Sequence, residues 1–362
     1  MPLENINVSS FTPLPTPGEI KALLPTSEAA RVTVEQARAG VRNIIRKTDS
    51  RLVVIAGPCS VHDAHQTLEY AEKLAALAKK YEDKLLILMR VYVDKPRTTV
   101  GWRGFMNDPE MNFTNDFLEG LKQTRDLMIK VNELGLGVAT EMLDPFAPQF
   151  MSDLVAWGAI GARTTESQTH RTMASGLSMA IGFKNSTEGN AQVAVDAIVA
   201  SSNPQVFLGI NSEGLASVVQ TNGNPDGHVI LRGGKDGTGY KTNFAASFVL
   251  DASHKMRGAK LNAAVMIDCS HANSSYDHTK QSLAWNDALE QKFNHDSHDL
   301  VGMMIESNLR PGKQSIPSDH DKSKLEYGVS VTDACVGWEE TQVMLEQAYN
   351  MAGKGQQLAV SN

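Results

Sequence analysis

Nine short apolar runs punctuate the chain, at residues 52–57, 85–91, 137–140, 159–162, 179–183, 206–210, 228–231, 263–267 and 300–305. Most are nearly continuous in apolar residues, which is how strands covered on both faces read. Helical spacing fills much of the sequence between them. Residues 67–80 put Leu68, Ala71, Leu74, Ala75 and Ala78 on one face, and residues 116–134 do the same with Phe117, Leu121, Leu127, Met128 and Val131. This alternation predicts an α/β fold with a parallel sheet. One run breaks the pattern. Residues 206–210 are followed by Asn211, Ser212, Glu213 and Gly214 and then a second strand-like stretch to 220, which reads as a β-hairpin. If the hairpin is an insertion, eight strands remain, the number that closes a (β/α)₈ (TIM) barrel. An open doubly wound sheet also fits the pattern, so both architectures stay open here.

Residues 1–50 read as an N-terminal extension separate from the unit over 51–362. Pro13, Pro15 and Pro17 are expected to break any early helix. A helix is expected over 27–47, capped by Thr26 or Ser27, with Val34, Ala37, Val41, Ile44 and Ile45 as its apolar stripe. Residues 309–327 are rich in Pro, Gly, Ser, Asp and Lys and read as a loop. The last helix is expected over 337–351, ending at Gly353.

Composition narrows the field. The chain has 362 residues, 34 basic against 41 acidic, for a net charge of −7, and 41% of its residues are hydrophobic. That is enough for a sizeable core, and it argues against non-specific nucleic-acid binding, which needs a basic face. No run approaches the roughly 20 apolar residues of a membrane span, and the N-terminus does not read as a signal peptide. Three cysteines, Cys59, Cys269 and Cys335, do not make a disulfide framework, so a cytoplasmic protein with reduced thiols is expected.

The candidate chemistry lies at the strand ends, where βα-barrels carry their active sites. Arg90 and Lys95 follow the second strand, and Arg163, Lys184 and Arg232 the fourth, fifth and sixth strands of the expected barrel, while Glu141 ends the third. Any one of them is best read as a solvated loop charge. Five at equivalent points imply a basic pocket that needs an anionic ligand, because packed unpaired cations are costly. Cys59, His271, Glu306 and Asp333 form a second set. A thiolate, an imidazole and two carboxylates would suit Mn, Fe, Co or Zn better than Mg or Ca. Cys269 and Cys335 read as buried packing. The glycine-rich stretch 233–239 lacks the spacing of a nucleotide-binding phosphate loop, which argues against nucleotide hydrolysis.

At this point the motifs resemble the type I 3-deoxy-D-arabino-heptulosonate 7-phosphate (DAHP) synthases. The matching stretches are GPCS (57–60), MRVYVDKPRTTVGWRG (89–104), WGAIGARTTESQTHR (157–171), GFKNSTEGN (182–190), GNPDGHVILRGGK (223–235), DCSHANS (268–274), MIESNL (304–309) and YGVSVTDACVGWE (327–339). The resemblance implies a (β/α)₈ barrel with an N-terminal extension and an inserted hairpin. It implies a metal-dependent condensation of phosphoenolpyruvate with erythrose 4-phosphate and water, giving DAHP and phosphate. Cys59, His271, Glu306 and Asp333 would hold a divalent metal. Arg90, Lys95, Arg163, Lys184 and Arg232 would hold phosphoenolpyruvate, and Pro96, Arg97, Thr98 and Thr99 erythrose 4-phosphate.

Lys95 is expected to donate a proton to the developing alkoxide, with Glu141 and His271 as candidates for the water proton. Relatives are often feedback-inhibited, and Gly209 is more typical of tyrosine-responsive than phenylalanine-responsive ones, so Gly209 and Ser178 are the expected effector residues. A homodimer or homotetramer is expected. Three other functions compete. A related synthase using arabinose 5-phosphate resembles the KPRTT loop less. A class II aldolase does not need five basic residues. A non-catalytic ligand-sensing barrel need not keep both sets.

Overall fold

The computed structural model describes residues 3–360, with side chains through residue 353. Its strands in chain order are β1 Leu52–Gly57, β2 Leu85–Arg90, β3 Gly137–Glu141, β4 Val155–Ile160, β5 Ala180–Lys184, β6 Val206–Ile210, β7 Ala216–Gln220, β8 Gly227–Leu231, β9 Gly234–Asp236, β10 Gly239–Lys241, β11 Val265–Asp268 and β12 Leu300–Glu306. β1 to β5, β8, β11 and β12 form a closed parallel barrel in chain order. Closure comes from β1 against β12, with Val53 opposite Gly302 and Gly57 opposite Glu306. Among the described residues β6 and β7 pair only with each other, so β5 pairs directly with β8. The hairpin is therefore an insertion, and the open-sheet alternative falls.

The helices are α1 Pro17–Leu23, α2 Glu28–Ile45, α3 Ala64–Lys80, α4 Phe117–Glu133, α5 Ala147–Met151, α6 Gln168–Ser175, α7 Gln192–Ser201, α8 Ala246–Gly258, α9 Gln281–Leu289 and α10 Trp338–Val360. Among the described residues, no helix is long and apolar enough to cross a membrane.

α2 decides which end of the barrel is open. Ser27 caps it through the Ala30 N–H, while Thr26 donates to Asp153 instead. Ala37, Val41, Ile44 and Ile45 share one buried cluster with Val53, Ile55, Leu88, Trp157, Ile230, Met266 and Met304 of the barrel. Each fully buried Val or Ile is worth about 1.5–3 kcal/mol. Polar ties fix the position. Asp226, just before β8, takes Arg42 and Arg46, and Asp299, just before β12, takes Lys47. Asn262, before β11, donates to the Ile45 carbonyl at 2.6 Å. All these anchors stand at the N-terminal ends of strands. Residues 28–47 floor the barrel and leave the C-terminal ends as its open face.

Several boundaries differ from the sequence expectation. β4 spans Val155–Ile160 rather than 159–162, because Gly158 sits inside the strand, where the Ile181 side chain fills the space a side chain would take. The prolines do not exclude an early helix. Pro17 opens α1 at a position where no amide hydrogen is needed, and Thr16 and Glu19 form a capping box. α10 continues past Gly353, since a glycine inside a helix costs only about 1 kcal/mol. The small β9–β10 hairpin was hidden in the glycine-rich 233–239 stretch.

Candidate active site

The C-terminal strand ends surround a cavity of about 740 Å³. It is lined by Cys59, Arg90, Lys95, Pro96, Arg97, Thr98, Thr99, Glu141, Arg163, Lys184, Arg232, His271, Glu306 and Asp333. These are the residues singled out above, drawn from across the chain by barrel closure. Ser178 and Gly209 are not among them. Ser178 is exposed just before β5, and Gly209 is buried on the outlying β6.

Each strand delivers its side chain for a local reason. Gly57 turns the end of β1 at φ +149°, and a Cβ there would lie 2.8 Å from the Arg90 carbonyl oxygen. This close approach lets Cys59 and Arg90 share the mouth, where Arg90 donates to the Pro58 and Cys59 carbonyls. Arg90 is also 3.9 Å from the centre of the Tyr92 ring. Lys95 lies five residues beyond β2, in a loop folded back by the Lys95 N–H to Arg103 carbonyl bond at 2.8 Å.

The charges are more self-compensated than the sequence implied. Arg90 meets Glu306 at 3.2 Å, Lys95 meets Asp333 at 2.9 Å and Lys184 meets Asp268 at 2.9 Å. Three of the five basic residues thus have carboxylate partners inside the site, since an unpaired buried cation is costly. Arg232 donates instead to the Tyr276 hydroxyl at 2.7 Å. Arg163 and Arg97 are exposed at the rim.

Donor atoms of Cys59, Glu306 and Asp333 lie within 4.8 Å of one another. His271 stands beside this set rather than within it, its Nε2 3.7 Å from Glu306 Oε1. Soft sulfur and two carboxylates, with an imidazole next to them, fit a divalent transition-metal cation. Lys95 Nζ lies 3.0 Å from Cys59 Sγ. Burial pushes the Cys59 thiol up to about 12, and Glu306 adds to that while Lys95 opposes it. Burial disfavours the Lys95 ammonium, but Cys59 and Asp333 outweigh it and hold the group firmly protonated. Glu141 Oε1 is buried with no hydrogen-bond partner among the described residues. A Cβ on Gly161 would lie 2.2 Å from that atom, so the glycine makes room for the carboxylate.

Comparison with known proteins gives one answer. Residues 28–346 match the family model described as the DAHP synthetase I family. The chain belongs to the DAHP synthetase I family. It is 45% identical over 347 residues to a Tyr-sensitive phospho-2-dehydro-3-deoxyheptonate aldolase of Escherichia coli, covering 96% of this chain and 95% of that one. The Phe-sensitive protein of the same organism is 44% identical, covering 96% and 97%. A solved phospho-2-dehydro-3-deoxyheptonate aldolase from Francisella tularensis superposes with a TM-score of 0.91 at 45% identity, covering 96% of this chain and 99% of that chain. The family is metal-dependent in general, in keeping with the donor set here.

In this DAHP synthetase family member several further residues stand in the cavity wall without a signal in the sequence that marks them. Tyr92, Asp94, Thr187, Lys235, Tyr240 and Tyr276 line it too. Burial, with help from Asp144, pushes the Asp94 carboxyl up to about 7. Asp268 was visible as the last residue of β11, but nothing in the sequence linked it to both His271 and Lys184. Lys235 follows Arg232 by three residues, and its place at the rim depends on the β9–β10 hairpin.

Proposed function

We propose that the chain catalyses the condensation of phosphoenolpyruvate with D-erythrose 4-phosphate and water to DAHP and phosphate, the entry step to the shikimate pathway of aromatic amino-acid biosynthesis. The observation that carries this reading is the single cavity in which an anion-binding wall of Arg90, Arg163, Lys184 and Arg232 faces the donor set of Cys59, His271, Glu306 and Asp333. A class II aldolase has no use for the first wall, and a ligand-sensing barrel has no use for both together.

The four basic residues and Lys95 hold the phosphate and carboxylate of phosphoenolpyruvate, Arg by paired hydrogen bonds and Lys as a point charge. Pro96, Arg97, Thr98 and Thr99 shape the place for erythrose 4-phosphate, with Arg97 and the two hydroxyls on its phosphate. Holding both anions in one cavity makes a two-substrate reaction effectively unimolecular. C3 of phosphoenolpyruvate forms a bond to the aldehyde carbon. Lys95 donates its proton to the developing alkoxide. Water adds at C2, where cationic character develops, and phosphate leaves. Glu141 suits the water proton, because its buried Oε1 is unpartnered, and His271 is the second candidate. A divalent cation (Mn, Fe, Co or Zn), held by Cys59, His271, Glu306 and Asp333, would supply Lewis acidity toward the aldehyde.

Residues 1–50 and the β6–β7 hairpin serve regulation and self-association in this reading. The Gly18 N–H donates to the Ser212 carbonyl in the hairpin turn at 2.8 Å, which joins the arm to the hairpin. Val206, Leu208 and Val218 stand exposed on one face of the hairpin, which supports a homodimer or homotetramer. Feedback inhibition by an aromatic amino acid, tyrosine before phenylalanine, would involve Ser178 and Gly209. An added Cβ at Gly209 would lie 2.8 Å from Val219 Cγ2, so a serine there would require the Val219 side chain to shift. Three free cysteines fit a reducing cytoplasm.

The test is Cys59→Ala. Loss of metal-dependent turnover of the two substrates, with the fold intact by circular dichroism, is the expected result. An undiminished rate with added Mn²⁺ would remove Cys59 from the donor set. Inhibition assays with tyrosine and phenylalanine test the effector reading in parallel, and it fails if neither inhibits.

A further inference from the structure

Asp268 ends β11 with no solvent exposure, and four donors converge on its carboxylate. Oδ2 accepts Lys184 Nζ at 2.9 Å and lies 2.9 Å from His271 Nδ1. Oδ1 accepts the Ser270 N–H at 3.0 Å and the Ser270 hydroxyl at 2.7 Å. The Ser270 hydroxyl has only one hydrogen, and it goes to Asp268. The 2.7 Å contact between Ser270 Oγ and His271 Nδ1 must then use a hydrogen on the ring. Both neighbours of Nδ1 are therefore acceptors, so Nδ1 carries a hydrogen, and in the neutral ring that tautomer leaves the lone pair on Nε2. Nε2 is the nitrogen facing Glu306 Oε1.

The backbone supports the same arrangement. His271 sits at φ +55°, a region that non-glycine residues enter seldom and at some cost. It is held there by the Tyr276 N–H bond to its carbonyl, at 2.7 Å. Asn273 Nδ2 bonds the carbonyls of both Asp268 and Leu231, at 2.9 and 3.1 Å, which ties the turn to β8. This unusual conformation carries the imidazole back over the Asp268 carboxylate.

We propose that Asp268 is the positioning residue shared by the two halves of the site, with one carboxylate oxygen holding His271 in its ligating tautomer and aiming Lys184 into the anion pocket. The inference rests on the proposed function only in taking His271 as a metal ligand and Lys184 as a phosphoenolpyruvate ligand. A carboxylate behind a ligating histidine fixes its ring and raises its basicity, and removing such a partner costs about 10–100-fold in metal affinity. The second contact adds a consequence that a carboxylate serving His271 alone would not have. Loss of Asp268 should weaken two chemically unrelated ligands at once.

The test is Asp268→Asn, which keeps the shape and removes the charge. Mn²⁺ binding without substrates is measured from the free-ion electron paramagnetic resonance signal. Phosphoenolpyruvate binding is measured separately by calorimetry. The expected result is an Mn²⁺ Kd raised about 10–100-fold, together with a weaker phosphoenolpyruvate Kd, in protein that remains folded. Both constants within twofold of the unsubstituted protein would overturn the proposal, as would a change in only one of them. If the unsubstituted protein binds no Mn²⁺, the ligand reading of His271 fails instead, which is a separate outcome. Should Asp268→Asn not fold, ¹⁵N–¹H correlation of the histidines in the unsubstituted, metal-depleted protein decides the tautomer. His271 protonated at Nδ1 supports the proposal, and protonation at Nε2 overturns it.

Discussion

Arg90 and Glu306 meet at 3.2 Å with their side chains almost fully out of solvent. Neither charge is tolerable alone at that depth. Arg90→Ala should therefore cost about 3–5 kcal/mol of stability, read from urea unfolding, because it strands Glu306. A loss below about 1 kcal/mol would show that the pair is more solvated than its burial says. His228 gives the clearest pH signature. It lies inside the barrel, accepting from Trp157 Nε1 at 3.1 Å, and burial lowers its pKa to about 4 against the ordinary 6.5. The unfolded chain takes up a proton near pH 6.5 and the folded one only near 4. Between these values the unfolded state binds more protons, so stability rises with pH across the window and levels off above it. The stability of the parent minus that of His228→Gln should grow by about 3 kcal/mol from pH 4 to 6.5. A flat difference would contradict this. At this scale the sequence was legible for which residues would reach the open end of the barrel, read from their type and their place after a strand, as with Cys59, Lys184 and His271. It was silent on pairings. That Arg90 would find Glu306, or Lys184 would find Asp268, depends on which strands end side by side, and no local spacing encodes it.

Strands and helices were legible in proportion to their periodicity. α3 and α4 lie within a few residues of their expected bounds, because a helical stripe is a repeating signal. β4 was misplaced because Gly158 interrupts the apolar run, although the whole strand is buried. Gly182 shows why such glycines belong there. A Cβ on it would lie 2.5 Å from Ile230 Cδ1 and 2.7 Å from Trp157 Cζ2. Gly182→Ala should lose about 1–3 kcal/mol through overpacking, despite the better strand and helix behaviour of alanine in isolation. Thermal unfolding checks this, and an unchanged or raised Tm would mean that the barrel interior can yield. The stripe of α2 was visible, but not its target. Amphipathic spacing says that a helix packs, not what it packs on, and residues 28–47 prove to be the floor of the barrel.

For the whole molecule, the net charge of −7 concealed the sign that matters. The acidic excess lies elsewhere, while the open end of the barrel gathers Arg90, Lys95, Arg97, Arg163, Lys184, Arg232 and Lys235. Length was similarly ambiguous, since 362 residues could have meant two or three domains. They form a barrel of the usual size, about 250 residues, with the N-terminal segment, the β6–β7 hairpin and the 309–327 loop added. Family membership follows from near full-length similarity. The chemistry of this particular chain is the central claim, and phosphate release tests it most directly. With phosphoenolpyruvate, erythrose 4-phosphate and Mn²⁺ together, inorganic phosphate should appear in step with DAHP, and omitting either substrate or chelating the metal should abolish it. Phosphate released from phosphoenolpyruvate alone, or no release with all three present, would contradict the account.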